Sequence, residues 1–170
     1  MEYSRIVLIG FRGTGKTSLA KRLADKLDWP LFSTDRMIAE AVGMPIGDYV
    51  SRNGWRNFRK AERKVIAALP VHAHSVVDCG GGVIENESNM LLLRQHSLIV
   101  WVDADIETIF RRLSRSGDRP LLNQLDLRRD IEENYRRREP LYEKYSDLRV
   151  DASTNDADTL CQMVIETKRN

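Results

Sequence analysis

Several features that mark other classes of protein are scarce in this sequence. The 170 residues include only two cysteines, Cys79 and Cys161, which excludes a disulfide framework and a C-x-x-C metal site. A chain with so few cysteines is typical of a reducing compartment, so we expect this protein to be located in the cytoplasm. Lys and Arg number 27 against 25 Asp and Glu, so the net charge of +2 gives no overall field of the kind that attracts nucleic acid.

Long hydrophobic runs are missing as well. No apolar run approaches the length needed to cross a bilayer, and residues 1–5 lack the basic start and apolar core of a signal peptide. We therefore expect neither a membrane partner nor a targeting segment. A chain of 170 residues with 42% hydrophobic content buries one core and is short for two, so we predict a single domain over residues 1–170. The absence of a long apolar seam favours a monomer.

The most informative segment that is present lies near the start of the chain. Residues 10–17, GFRGTGKT, fit the pattern G-x-x-x-x-G-K-[ST]. An apolar run, IVLI, precedes the pattern, and an amphipathic stretch follows it, as expected for a strand, a glycine turn and a helix. Such a turn directs backbone N–H groups at one anion at the positive end of the helix dipole. The alternative is a simple glycine turn with a solvated lysine.

The motif assigns a role to each of its residues. Gly13 and Gly15 let the backbone curl, Lys16 reaches the terminal phosphates of a nucleotide, and the Thr17 hydroxyl ligates magnesium. The predicted nucleotide-binding residues of this segment are Gly13, Thr14, Gly15, Lys16, Thr17 and Ser18.

The periodicity along the chain predicts alternating strands and helices. Strands are predicted over residues 5–9, 31–35, 75–79, 98–102 and 148–151, and helices over 16–28, 36–42, 55–69, 87–95, 106–113, 126–145 and 156–167, with a short helical turn at 46–52 and a loop at 114–125. This alternation favours an α/β fold, a three-layer sandwich around a parallel five-stranded sheet. Ligands of such sheets bind at the carboxyl ends of the strands, where Asp35, Asp78 and the glycine triplet 80–82 would meet the phosphate loop.

Five further short motifs follow the phosphate loop in a fixed order. They are Asp35 after the second strand, FRKAE at residues 58–62, GGG at 80–82, RPLL at 119–122 and REPLY at 138–142. In this order, and in a chain of this size, the set resembles the shikimate kinases, and the resemblance covers residues 6 to about 150. It implies a P-loop fold like that of the nucleoside monophosphate kinases, with ATP and Mg²⁺ as cofactors.

The resemblance also implies the roles of individual residues. Asp35 would bind ring hydroxyls of shikimate and act as the base, while Arg59 and Arg138 would hold the shikimate carboxylate. Gly80, Gly81 and Gly82 would let the ring lie close to the backbone. Arg119 would close over the phosphates from a lid at about residues 114–125, and Arg112 would pack on the adenine. Residues of about 34–70 would form the acceptor-binding region.

Simpler structural interpretations exist for several of these residues. Arg59 and Glu62 are three apart on a predicted helix, the spacing of a surface ion pair. Asp35 has the residue type and position of an N-cap for the following helix. Arg136 and Arg137 are expected to belong to a solvated face.

Two positions depart from the family pattern. Ser33 stands where the family usually has a carboxylate that supports magnesium, and Asp78 stands where a small or hydroxyl residue is more usual. We therefore predict a metal site formed by Thr17 and Asp78, with Asp78 acting mainly through water. The alternative is that Asp78 forms a local cap or salt bridge.

The predicted activity is ATP-dependent phosphorylation of shikimate to shikimate 3-phosphate, in aromatic amino-acid biosynthesis. The alternatives are a P-loop kinase of another small hydroxylated acid, such as gluconate or an aminoshikimate-like cyclitol acid, and a nucleotide-binding module without turnover. The glycine triplet and the paired arginines argue against gluconate and against a nucleoside monophosphate as acceptor.

Overall fold

A computed structural model of the protein describes residues 3–71, 73–115 and 124–169. Five strands are present in these ranges: β1 (Arg5–Ile9), β2 (Leu31–Ser33), β3 (Ser75–Asp78), β4 (Ser97–Asp103) and β5 (Leu148–Asp151). The helices are α1 (Lys16–Leu27), α2 (Thr34–Val42), α3 (Ile46–Ala67), α4 (Glu87–Leu93), α5 (Ile106–Arg115), α6 (Gln124–Tyr145) and α7 (Ala157–Arg169), and a 3₁₀ turn covers Val83–Glu85.

The five strands form one parallel sheet in the order β2-β3-β1-β4-β5. Strand β1 is therefore central, and its burial explains why it is apolar throughout. Strand order reverses beside β1, since β3 lies on one side of it and β4 on the other. This is the point where ligands of parallel sheets bind.

Helices cover both faces of the sheet, because alternate strand residues point to opposite sides. Val7 and Ile9 pack with Trp101 and side chains of α5 and α6 on one face. Ile6 and Leu8 pack with side chains of α1 and α7 on the other. The predicted three-layer sandwich with a five-stranded parallel sheet is confirmed.

A smaller apolar cluster joins α2 to α3 outside the two main faces. Ile38, Phe58 and Val65 form its buried part. This cluster packs α2 against α3 within the predicted acceptor-binding region, and it fixes the helix that carries Arg59.

The boundaries of several elements differ from those predicted. The predicted division into two helices, over residues 46–52 and 55–69, agrees with the structure, because α3 is broken at Gly54, where φ is 75° and ψ is 164°, values outside the helical range. Helix α2 begins at Thr34, inside the predicted second strand. The predicted loop 114–125 is helical at both ends, and its residues 116–123 lie outside the described ranges.

No helix in the described part of the chain is long and apolar enough to span a membrane.

Candidate functional site

The phosphate loop connects β1 to the first turn of α1. Gly13 and Gly15 have φ values of 77° and 98°, the left-handed conformation that a side chain disfavours. Gly15 caps α1, so the free N–H groups of that helix face the loop. The backbone therefore has the anion-binding form that the sequence pattern predicts.

Two side chains of the loop stabilise it internally. The Thr14 hydroxyl donates to the Phe11 carbonyl at 2.9 Å, and Lys16 Nζ donates to the same carbonyl at 2.8 Å. Lys16 is buried, and burial lowers its pKa, although Asp78 and Asp35 oppose that change. A phosphate within reach of Lys16 would place a further negative charge beside this ammonium and favour its charged form. Thr17 and Ser18 are exposed at the start of α1.

Asp78 ends β3 directly beside the phosphate loop. The Thr17 hydroxyl donates to Asp78 Oδ2 at 2.7 Å, and Asp78 is only 7% exposed. Burial raises the pKa of Asp78, with the Thr17 hydrogen bond and Lys16 acting against it. Ser33 is the register partner of Asp78 on β2, so the two positions lie side by side at the end of the sheet.

Asp35 lies in the first turn of α2 and is exposed to a cavity. It is not the cap of this helix, as one interpretation of the sequence held, because the side chain of Ser33 accepts from the Arg36 N–H. Partial burial raises the pKa of Asp35, while the charges of Lys16 and Arg59 act in the opposite direction. A carboxylate with a raised pKa accepts a proton more readily, as a general base must.

The cavity has a volume of about 590 Å³. The described residues that line it are Phe11, Arg12, Asp35, Ile46, Trp55, Phe58, Arg59, Glu62, Gly80, Gly81, Gly82, Asp130, Asn134 and Arg138. The six predicted acceptor-binding residues are all in this set. They come from α2, α3, the segment after β3 and α6, so the fold brings together positions far apart in the chain.

Arg59 and Glu62 form a real ion pair, but not a surface pair. Arg59 donates from one terminal nitrogen to both oxygens of Glu62, at 2.9 and 3.0 Å. The Glu62 side chain is 1% exposed and also accepts from the Asn89 amide at 3.2 Å. Glu62 therefore holds the Arg59 guanidinium at the cavity wall.

The glycine triplet leaves room for the side chains that reach the cavity. A Cβ atom at Gly80 would lie 2.5 Å from Asp35 Oδ1, and one at Gly82 would lie 2.2 Å from a terminal nitrogen of Arg59. At Gly81 it would approach the backbone of the phosphate loop, with the Gly10 oxygen at 3.3 Å. The triplet thus packs the wall of the cavity directly against the phosphate loop.

Tyr142 holds the triplet in place from α6. Its hydroxyl donates to the Gly81 carbonyl at 2.6 Å, and its ring is fully buried against Trp101. No role was predicted for Tyr142 from the sequence, although it belongs to the REPLY motif.

Arg112 lies at the end of α5 beside the phosphate loop. It donates to the carbonyls of Gly13 and Thr14 at 3.3 and 3.0 Å, and to the carbonyl of Ala152 at 2.8 Å. These bonds join the phosphate loop to the segment after β5. The other predicted nucleotide-binding arginine, Arg119, and most of the predicted lid lie outside the described residues.

Several residues of the site were missed by the sequence interpretation. Arg12 forms an ion pair with Asp130 of α6 at the cavity wall. Trp55 is 60% exposed and packs its ring edge-on against Phe58. Arg137, predicted to be simply solvated, is exposed but forms an ion pair with Glu85.

Comparisons with a family model and with known protein sequences both match this chain to the same family. A family model described as shikimate kinase matches residues 12–169. A shikimate kinase of Caldanaerobacter subterraneus subsp. tengcongensis is 34% identical over 160 residues, which cover 94% of this chain and 93% of that protein. A shikimate kinase of Moorella thermoacetica is 35% identical, with 95% and 92% covered.

Solved structures agree with the sequence comparisons. The shikimate kinase of Acinetobacter baumannii in complex with shikimate matches with a TM-score of 0.87 and 26% identity, covering 96% of this chain and 91% of that one. The shikimate kinase of Bacteroides thetaiotaomicron matches with a TM-score of 0.88 and 26% identity, covering 98% of each chain.

Proposed function

This chain belongs to the shikimate kinase family, whose members use ATP, and we propose that it phosphorylates shikimate to shikimate 3-phosphate with the residues described above. The main observation that supports this assignment is that Asp35, Arg59, Arg138 and the glycine triplet all line the same cavity. The resulting step belongs to aromatic amino-acid biosynthesis.

Arg59 and Arg138 bind the carboxylate of the acceptor in this proposal. Both guanidinium groups line the cavity, and they approach it from different helices. The flat fork of arginine matches a carboxylate with two parallel hydrogen bonds. Clamping the acceptor at its carboxylate fixes the direction of its ring, and phosphoryl transfer depends mainly on such positioning.

Asp35 accepts the proton of the attacking hydroxyl. Its carboxylate adjoins Gly80 on the cavity wall, and the charges of Lys16 and Arg59 act on it from the two sides of the site. The raised pKa makes it a stronger base than an ordinary aspartate.

The phosphate loop holds the nucleotide through its N–H groups and through Lys16. Residues 13–18 supply this cradle, and Lys16 moves from the Phe11 carbonyl to the phosphates when ATP binds. In this proposal, Arg112 lies on the adenine side of the nucleotide. Arg119 lies over the transferred phosphoryl group, where an arginine stabilises the charge of the transition state.

Thr17 and Asp78 would hold Mg²⁺. Their oxygen atoms are hydrogen-bonded at 2.7 Å, and a hydroxyl with one carboxylate is a donor set that suits this hard cation when phosphates complete it. Mg²⁺ supplies charge neutralisation on the phosphates when it is bound. Asp78 takes the place of a carboxylate at Ser33, its partner on the neighbouring strand.

The proposal includes a monomeric enzyme in the cytoplasm. The two buried free cysteines, Cys79 and Cys161, are compatible with a reducing compartment.

A coupled assay of ADP release tests the function. ATP would be supplied with shikimate, with gluconate or with CMP in parallel reactions. Of these three acceptors, we expect only shikimate to support turnover. Faster turnover with gluconate or CMP would contradict the assignment, and so would ATP hydrolysis that no acceptor stimulates.

A further inference from the structure

We propose that Glu85 is a positioning residue that holds Arg59 and Arg138 together for the carboxylate of the acceptor. The inference rests on the proposed roles of these two arginines. Glu85 ends the 3₁₀ turn that follows the glycine triplet.

The contacts of Glu85 join two separate helices. Its Oε2 atom accepts from a terminal nitrogen of Arg59 at 2.9 Å, and its Oε1 atom accepts from Nε of Arg138 at 3.2 Å. A longer contact of 3.4 Å joins Oε2 to a terminal nitrogen of Arg138. Arg59 belongs to α3 and Arg138 to α6, so one carboxylate fixes the distance between guanidinium groups from different parts of the chain.

Gly82 allows this connection to form. The guanidinium of Arg59 passes over the Gly82 backbone, where a Cβ atom would lie 2.2 Å from its nitrogen. A side chain at this position would displace Arg59 from Glu85. The last glycine of the triplet therefore serves the arginine pair, in addition to any contact with the acceptor.

Charge explains why such a group is needed. Two guanidinium groups that converge on one small carboxylate repel each other when that carboxylate is absent. Arg59, Arg137 and Arg138 together with Glu62 and Glu85 carry three positive and two negative charges. The two carboxylates therefore offset much of the repulsion among the three guanidinium groups.

The ionised state of Glu85 is favoured by its surroundings. Partial burial raises its pKa, but the hydrogen bonds and charges of Arg138 and Arg137 outweigh that effect, so its pKa is lowered. The side chains of Glu85, Arg59 and Arg138 are 21%, 24% and 18% exposed, so solvent screens this cluster less than it screens an ordinary surface pair.

Glu85 contacts the two arginines on the side away from the cavity, so it does not occupy the acceptor position. Among the described residues that line the cavity, both arginines are present and Glu85 is not. Glu62 does not replace Glu85, because the hydrogen bonds of Glu62 go to Arg59 and Asn89 and do not reach α6. Glu85, in contrast, contacts both α3 and α6.

The test compares Glu85→Gln with Glu85→Asp and with Glu87→Gln. Gln keeps the shape of Glu85 and removes its charge, whereas Asp keeps the charge on a shorter side chain. Glu87 is a matched control, because it is an exposed glutamate two residues later whose ion pair is with Lys144. The dissociation constant for shikimate is measured by calorimetry with ADP present, and turnover is measured separately.

We expect Glu85→Gln to raise the dissociation constant for shikimate about tenfold, the effect of losing one partly screened charged hydrogen-bond partner. Glu85→Asp should lie between Glu85→Gln and the unaltered enzyme, and Glu87→Gln should match the unaltered enzyme. The affinity for ATP and the unfolding temperature should stay close to those of the unaltered enzyme. In the background of Arg138→Ala, Glu85→Gln should have a much smaller effect than it has alone.

Three results would overturn the inference. Tighter binding of shikimate by Glu85→Gln would show that Glu85 competes with the acceptor. Equal binding would show that the ion pairs have no consequence for the acceptor. If the unaltered enzyme neither binds nor phosphorylates shikimate, the proposed function and this inference fail together. If the unaltered enzyme phosphorylates shikimate and Glu85→Gln binds shikimate with the same dissociation constant, the inference alone fails.

Discussion

The two sides of the site are built in different ways. The proposed nucleotide side consists mainly of one continuous segment, residues 10–18, whose backbone and one lysine would cradle the phosphates. The proposed acceptor side takes Asp35 from α2, Arg59 from α3, the glycines from the segment after β3 and Arg138 from α6. The first is a local backbone structure, and the second is an assembly of charged side chains.

This difference follows from the groups that each side must recognise. Polyphosphate is bound by any convergent set of N–H groups at a helix N-terminus, so a short segment is sufficient. A small ring with one carboxylate and several hydroxyls requires charges placed around it in three dimensions. We therefore expect substitutions on the nucleotide side to change catalysis and nucleotide binding, and substitutions of the acceptor-side arginines to change the affinity for the acceptor.

The largest effect is expected for Asp35→Asn, at the boundary between the two sides. Removing the base should lower kcat by about 10²- to 10⁴-fold, with little change in the affinity for ATP. The activity of the unaltered enzyme should fall as the pH decreases through the raised pKa of Asp35. A kcat within tenfold of that of the unaltered enzyme would show that Asp35 is not the base, and Glu40→Gln, on an exposed position of the same helix, is the control.

The same substitution should not reduce stability. Because burial raises the pKa of Asp35, its charge is disfavoured in the folded state, and the stability that this group contributes below its unfolded pKa is lost as the pH rises through its folded pKa. The Asn variant avoids this loss. Its unfolding temperature at pH 8 should equal or exceed that of the unaltered protein, and the difference should shrink toward pH 4.

The next largest effect is expected for Lys16→Met, on the nucleotide side. Losing the cation that neutralises the phosphates should lower kcat by about 10²- to 10³-fold. The affinity for shikimate measured without nucleotide should stay within about twofold, because Lys16 is not among the described residues that line the cavity. Lys26→Met, in the last turn of the same helix, is the control, and a large loss of shikimate affinity would contradict the separation of the two sides.

A smaller effect is expected for Asp78→Asn. The Mg²⁺ concentration needed for half-maximal activity should rise about tenfold, as should the Mg²⁺ concentration that tightens ADP binding in calorimetry. Ser33→Asp in the same protein should recover much of this loss, because the two positions are neighbours on adjacent strands and aspartate caps α2 as well as serine does. An unaltered Mg²⁺ requirement in Asp78→Asn would show that Thr17 and water are sufficient.

How far the sequence predicts the molecule also differs between the two sides. The phosphate loop and the strands are local signals, and the structure places them as predicted. The errors fall at boundaries: α2 begins at Thr34, inside the predicted second strand, and Ser33 provides the cap that one interpretation gave to Asp35. Ser33, Thr34 and Asp35 are all of the residue types that cap helices, so the local signal does not distinguish which of them is the cap.

On the acceptor side, the sequence predicts the direct contacts only through the family resemblance, and it does not predict what supports them. Tyr142 and Gly81 are 61 residues apart in the chain, and Arg137 and Glu85 are 52 apart. No periodicity or spacing connects such positions, because their contact results from the order of the strands and the packing of α6. An isolated glutamate after a glycine triplet carries no signal of its own.

The most direct test of the account is a comparison of two dissociation constants, for shikimate and for ATP, in Arg59→Ala and Arg138→Ala. Arg63→Ala and Arg136→Ala are matched controls, since both arginines are exposed on the same two helices. We predict that each site variant weakens shikimate binding by about 10- to 100-fold, with ATP binding within about twofold of that of the unaltered enzyme. Equal losses of affinity for shikimate and ATP, or no loss for shikimate, would contradict an acceptor site built from these two arginines.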